Sequence, residues 1–421
     1  MKLPSFSKIF FHDRPLRSGA FDFIKYIGPG FLVTIGFIDP GNWASDLAAG
    51  SQYGYALLWV VTLSTVMLIV LQNNAARLGI VTGECLAESA NTHLSPWVSR
   101  PLLGTAVVAS VSTAFAEVLG SAIALNLLFG LDLRIGSILS AAFVGWMVYS
   151  NSYRKIERWI IGFIALIGLS FIVELCMVHV QWTGAVRGWF VPRIPLGSIP
   201  VIMSVLGAVV MPHNMFLHSE IIQSRECNRL EKNELACNLK YGFLDTLVAM
   251  IIGWAVNSAI ILLAATTFFT HAIPVTGIEQ AQRLLQPLLG HFAAAVFAVA
   301  LLCAGISACV TAGIAGGTIV AGMTGESYHI RDWHTGLGVG LTLVLAVVAI
   351  FFITDTFKAL IVSQIVLSVQ LPFTIFTQIY LTSSKKVMGG YRNSTTQKAL
   401  LWAIGGTVVV LNGALLWSIV R

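Results

Sequence analysis

Two short polar stretches interrupt hydrophobic segments of this chain at matching places: Asp39-Pro40-Gly41-Asn42 in the first segment and Met211-Pro212-His213-Asn214 in the sixth. Asp39 offers a hard anionic oxygen, Asn42 a neutral amide oxygen and Met211 a soft thioether sulfur. Proline has no N–H to donate, so helix ends opened near Gly36 and Ala208 can add backbone carbonyls. This mixture suits a borderline divalent transition ion. Magnesium and calcium prefer shells made only of oxygen, whereas a thioether helps Mn, Fe, Co or Cd. The C-terminal ends of half-helices carry partial negative charge, which favours a cation between them. The competing reading of Met211 is a gap-filling core methionine. For Asp39 it is a buried, hydrogen-bonded carboxylate without a ligand. Against that stands the roughly 2.5–3.5 kcal/mol cost of a carboxylate at mid-bilayer, which makes an intramembrane acid a mark of function.

Histidines and further acids surround these breaks in sequence. His213 and His218 follow the second break; five residues place them about 140° apart on a helix, so they are not an i, i+4 zinc pair, and no HExxH occurs. Within a membrane span histidine is a natural proton carrier, with packing or a backbone hydrogen bond as the alternative. Glu117 sits in the middle of the third segment with no basic residue near it in sequence, which makes it the foremost proton-relay candidate. Glu174 and Glu220 lie nearer segment ends, where a water-facing carboxylate is expected. Asp245 divides evenly between helix packing and relay.

The elements that carry these residues follow from composition. The 421 residues are 56% hydrophobic and 10% charged, with a mean hydropathy of +0.82; soluble domains carry about 25% charged residues. The chain is therefore read as an all-α polytopic membrane protein. Eleven apolar runs are centred near residues 38, 67, 114, 142, 168, 210, 254, 306, 345, 370 and 408. Placing the N-terminus in the cytoplasm puts 19 of the 25 Lys and Arg residues on that side and 6 on the other, which predicts a multi-pass cell-membrane protein with N-in and C-out termini. The net charge of +6 then reads as topology and not as nucleic-acid binding. The six cysteines form no CxxC and are expected to be reduced. Residues 1–30 lack the apolar core of a signal peptide.

One domain, residues 1–421, is expected, because no linker or low-complexity stretch divides the chain. An offset of 172 residues lays the first break over the second and Gly36 over Ala208. Five spans separate the copies, an odd number that inverts the second. This predicts a five-plus-five inverted repeat, about 26–180 and 198–383, with helices 1 and 6 broken and an eleventh helix at about 397–419. Gly313 and Gly317 form a GxxxG pair read as close helix packing. The run Gly336, Gly338, Gly340 is no nucleotide loop, since no strand precedes it.

Several longer motifs accompany the breaks: Gly28-Pro29-Gly30-Phe31, Ala75-Ala76-Arg77-Leu78-Gly79-Ile80-Val81-Thr82-Gly83, Ala116-Glu117-Val118, Leu217-His218-Ser219, Ser363-Gln364 and Ser368-Val369-Gln370-Leu371-Pro372-Phe373. With them the chain resembles the Nramp divalent metal transporters along essentially its whole length. The resemblance implies a LeuT-type fold and proton-coupled uptake of Mn2+ or Fe2+, with Cd2+ and Co2+ often accepted. It implies metal binding by the side chains of Asp39, Asn42 and Met211 and by the Ala208 carbonyl, with Gln370 joining in some conformations, and a proton route through Glu117, His213 and His218. Ala114 stands where many members have an acid, the ninth segment contains no arginine, and Ile306, Ala308 and Cys309 replace expected polar residues. These departures fall on the proton route and leave the metal ligands intact.

The functional expectation is secondary active uptake of divalent metal by proton symport. The metal is cargo, no cofactor is implied, and the partners are the ion, protons and the bilayer. Uncoupled or loosely coupled metal uniport is the first alternative, favoured by Ala114. A sodium-coupled amino-acid carrier of the same fold is the second, although it would not need Asp39 opposite a thioether. A metal sensor or membrane enzyme finds no support in any signalling domain, nucleotide loop or nucleophile motif. Oligomeric state is not legible.

Overall fold

The computed structural model of the protein describes residues 38–150, 178–224, 232–273 and 291–420, with positions 162, 169, 175, 275, 277 and 278 between them. Gly36, the Gly28–Phe31 stretch, Glu174, Cys176, Cys227 and all but three positions of the fifth expected segment lie outside the described residues. Among the described residues the chain is helical, without strands. The helices of eight residues or more are α1 (Pro40–Tyr53), α2 (Leu58–Thr82), α3 (Leu86–His93), α4 (Pro96–Phe129), α5 (Leu133–Ser150), α6 (Trp182–Phe190), α7 (Ile199–Val210), α8 (Pro212–Gln223), α9 (Lys232–Ala264), α10 (His291–Thr324), α11 (Trp333–Ile350), α12 (Thr356–Ser383) and α13 (Thr395–Val420).

Nine segments among the described residues are long and apolar enough to cross a membrane, with α1 and α2 counted together as Pro40–Thr82 and α7 with α8 as Ile199–Gln223. The first expected span is visible from its break onward. Burial sorts the spans: 89% of the apolar window of α7–α8 is buried, against 28% for α13. The break-bearing helices are thus the centre of the bundle. Exposed Trp402, Val410 and Trp417 on α13, with Phe143 and Trp146 on α5, form the outer apolar surface, as lipid contact requires.

Sequence chemistry sets the two breaks. Helix α1 begins on Pro40, whose fixed φ suits a first turn, and Asp39 before it is extended (φ −116°, ψ 164°). Between α7 and α8, Met211 adopts φ 33° and ψ 92°, a conformation that costs a non-glycine residue about 1–3 kcal/mol. Pro212 explains the interruption, because it cannot supply the N–H that the Ala208 carbonyl would receive in a continuous helix.

The surrounding helices close in through small residues. A Cβ at Gly120 of α4 would collide with the Pro40 ring, and one at Gly207 of α7 would collide with the Gln364 backbone of α12. Both glycines let a neighbouring helix reach the breaks. Helix α1 packs against α4, α7, α9 and α12, and the broadest helix contact joins α4 to α10. Gly316 and Gly317 of α10 meet Thr342 and Val339 of α11, so the glycine-rich stretch serves close packing.

Candidate metal site at the helix breaks

Asp39 caps the helix it precedes. Its Oδ1 accepts a hydrogen bond from the Asn42 backbone N–H at 2.5 Å, and its Oδ2 is fully buried with no hydrogen-bond partner. Asn42, one turn into α1, donates from Nδ2 to the Ala208 carbonyl at 3.2 Å. That carbonyl is the one Pro212 leaves without a helical donor, so the first break answers the second directly. Farther along the same face, Ser45 and Ser204 share a hydrogen bond of 2.5 Å, clamping α1 to α7.

Met211 is buried at the turn itself. Asn214 donates from Nδ2 to its Sδ at 3.4 Å, which orients the thioether and leaves the Asn214 Oδ1 without a partner. The Gln364 side chain packs directly on Gly41, and its buried Oε1 has no partner either. In the sequence Gln364 stands out only as part of a motif, and Asn214 carries no expected role. The signal for both was an uncharged polar side chain inside an apolar span. Gln370 lies six residues farther along α12, about 9 Å in rise; its amide donates to Thr105 at 3.2 Å and accepts from Thr374 at 3.0 Å. The structure thus joins Asp39 and Asn42 to the Ala208 carbonyl, sets Met211 at the turn that follows Ala208, and bonds Gln370 to Thr105 and Thr374.

The Glu117 carboxyl group neighbours that of Asp39, and neither of its oxygens has a well-formed hydrogen bond. One turn earlier on α4, Thr113 bonds to the His213 Nδ1 at 3.3 Å, while the His213 Nε2 is buried without a partner. His218 Nδ1 bonds to the Gln72 Oε1 at 2.9 Å. Asp46, two turns beyond Asp39, is also buried with both oxygens unpartnered, an acid to which the sequence pattern assigns no role. Asp245 is buried. Among the described residues no Lys, Arg or His forms an ion pair with Asp39, Asp46 or Glu117. Buried charges persist only when paired, neutralised or bound to a metal, so this centre calls for a cation, protons or both.

One sequence expectation needs correction. Glu220 does not face water: it is only 7% exposed, because the start of α3 and residues near Tyr328 pack over the end of α8.

Comparison with known proteins decides the family. The family model described as natural resistance-associated macrophage protein-like matches residues 30–418. A divalent metal cation transporter, MntH, of Brucella suis is 37% identical over 413 residues, covering 94% of this chain and 88% of that one. This chain belongs to the Nramp family. Nramp proteins are membrane transporters and not enzymes. The Nramp fold is equally clear in space. A crystal structure of the Eremococcus coleocola manganese transporter superposes with a TM-score of 0.80 at 25% identity, covering 95% of this chain and 88% of that one. The nucleobase-cation-symport-1 transporter Mhp1 shares the fold alone, with a TM-score of 0.62 at 15% identity, covering 93% of this chain and 92% of that one. The all-α, LeuT-type architecture expected from the sequence is the one this Nramp chain adopts.

Proposed function

We propose that this chain takes up divalent transition-metal ions, Mn2+ or Fe2+ with Cd2+ and Co2+ also accepted, across the cell membrane by alternating access coupled to proton symport. The observation that carries the reading is the bridge from Asn42 to the Ala208 carbonyl, with the free Asp39 oxygen and the Met211 sulfur at the same pair of breaks. One carboxylate, one amide, one carbonyl and one thioether are a borderline-metal set. The named activities of the Brucella and Eremococcus proteins, divalent metal and manganese transport, support the same substrate class. Gln370 would join the shell in another conformation. The whole chain is read as one transport domain, N-in and C-out, working as the two inverted repeats with the final helix outside them.

Glu117 beside Asp39, then Thr113, His213 and His218 make a polar thread along α4 and α8 that supports a proton route. A second reading, loosely coupled or uncoupled transport, is favoured by Ala114, which puts a buried methyl group where an acid would extend that thread. Mn2+ uptake into proteoliposomes, with and without an inwardly directed pH gradient and with internal pH recorded, separates the two. Metal entry with matching acidification establishes symport. Entry without proton movement establishes uniport, and no entry overturns the substrate assignment.

A further inference from the structure

Roughly 14 Å of helix rise beyond Met211, α8 carries Glu220 into a second buried cluster. Cys85, Glu88 and Glu220 each present a donor atom, and among the described residues these atoms lie within 4.8 Å of one another. Cys85 is 1% exposed, and Glu88 and Glu220 are 7% exposed. We propose that Cys85, Glu88 and Glu220 form a second binding site for a divalent transition-metal ion, at the end of α8 remote from the breaks.

The cluster is built and not incidental. Cys85 is the N-cap of α3, its Sγ accepting from the Glu88 N–H at 3.4 Å. Glu88 answers through Oε2, which accepts from the Cys85 N–H at 3.1 Å and from the Gln223 Nε2 at 2.6 Å. The Leu86 N–H donates to the Ser219 Oγ at 2.9 Å, pinning the start of α3 to α8 next to Glu220. These bonds leave the Glu88 Oε1 and the Glu220 Oε2 buried without partners. No Lys, Arg or His among the described residues pairs with either acid.

Two carboxylates and a thiol without a cation are a costly combination to bury. Donors around an ion bound at about 2.0–2.3 Å lie at most about 4.6 Å apart, so small rotations close the site. A thiolate with two carboxylates selects Zn, Cd, Co, Fe or Mn over Mg or Ca. Burial pushes the Cys85 thiol and the Glu88 carboxyl group up from their ordinary values, so an entering ion displaces protons. On the orientation proposed above, the site faces the cytoplasmic end of the pathway.

Co2+ titration of the purified full-length protein tests this, since a cysteine thiolate bound to cobalt gives a near-ultraviolet charge-transfer band that the Met211 thioether cannot give. The titration is made on Asp39→Ala, alone and combined with Cys85→Ser or Glu220→Gln. The expected result is one thiolate-bound Co2+ in Asp39→Ala, loss of the band with Cys85→Ser, and at least about tenfold weaker binding with Glu220→Gln. Serine retains the N-cap, and Glu220→Gln keeps a side-chain oxygen to accept from the Tyr328 backbone, so an unchanged melting temperature is expected for both. No band in Asp39→Ala, or a band that survives Cys85→Ser with an unaffected Glu220→Gln titration, overturns the proposal and leaves a protonated cluster. Mn2+ uptake that persists in Asp39→Ala would instead overturn the assignment of the breaks without touching this site.

Discussion

The two donor clusters at either end of α8 are alike in offering carboxylate and sulfur, and opposite in construction. At the break, one carboxylate is joined by neutral donors, and the chain there is strained: Met211 is one of two non-glycine residues with positive φ among the described residues. At the far end, two carboxylates and a thiol sit on a reciprocally capped helix start, with ordinary backbone at Cys85 (φ −74°, ψ 168°). Lower charge and stored strain suit a site that must release its ion and change shape, whereas higher charge on relaxed, hydrogen-bonded backbone suits one that retains it. On the two proposals above, the position of a donor set on broken or capped helix, and not donor type alone, would separate carrying from holding.

The sharpest way to break this comparison is Asp39→Ala, for which Mn2+ uptake is expected to fall to background while the cobalt–thiolate band at Cys85 remains. Asp39→Asn retains a capping side chain and should fail in uptake alike, which separates loss of charge from loss of the cap. Next in size, Gly120→Leu drives a side chain into Pro40, and a stability loss of about 1–3 kcal/mol is expected from overpacking. Thermal unfolding in detergent measures it, and cobalt binding at Cys85 should survive in the folded fraction. Met211→Ala should relax discrimination of Mn2+ against Ca2+ about tenfold, equivalent to about 1.4 kcal/mol, as read by competition in the uptake assay. Unchanged selectivity would return Met211 to a packing role. The smallest effect is expected for Asn214→Ala, which removes the donor to the sulfur, worth about 0.5–1.5 kcal/mol. Cd2+ affinity at the break should change severalfold, and Co2+ binding at Cys85 should not.

Much of the candidate site at the breaks was legible because rare residue types compose it. A carboxylate and two helix-breaking prolines inside apolar runs are costly in a bilayer, so their presence in the sequence argues for function. Gln364 and Asn214 were harder to read, because a glutamine or asparagine in a span serves helix packing as readily as a site. Glu220 was misread for a physical reason. Its distance along the helix placed it near a span end, but the packing of α3 over that end, fastened by Leu86 and Ser219, decides its exposure.

By itself the sequence determined the membrane class, the order of the apolar segments seen among the described residues and the locations of the breaks, since hydropathy and proline act locally along the chain. Tertiary structure alone decided that Asn42 reaches the carbonyl freed by Pro212, that Glu117 meets Asp39, and that Cys85 and Glu88 converge on Glu220 from 132 or more positions away in the chain. Such pairings depend on which helix faces approach and how closely. The glycines at 120 and 207 set that approach through the neighbours they admit, and no local pattern in the sequence records those neighbours.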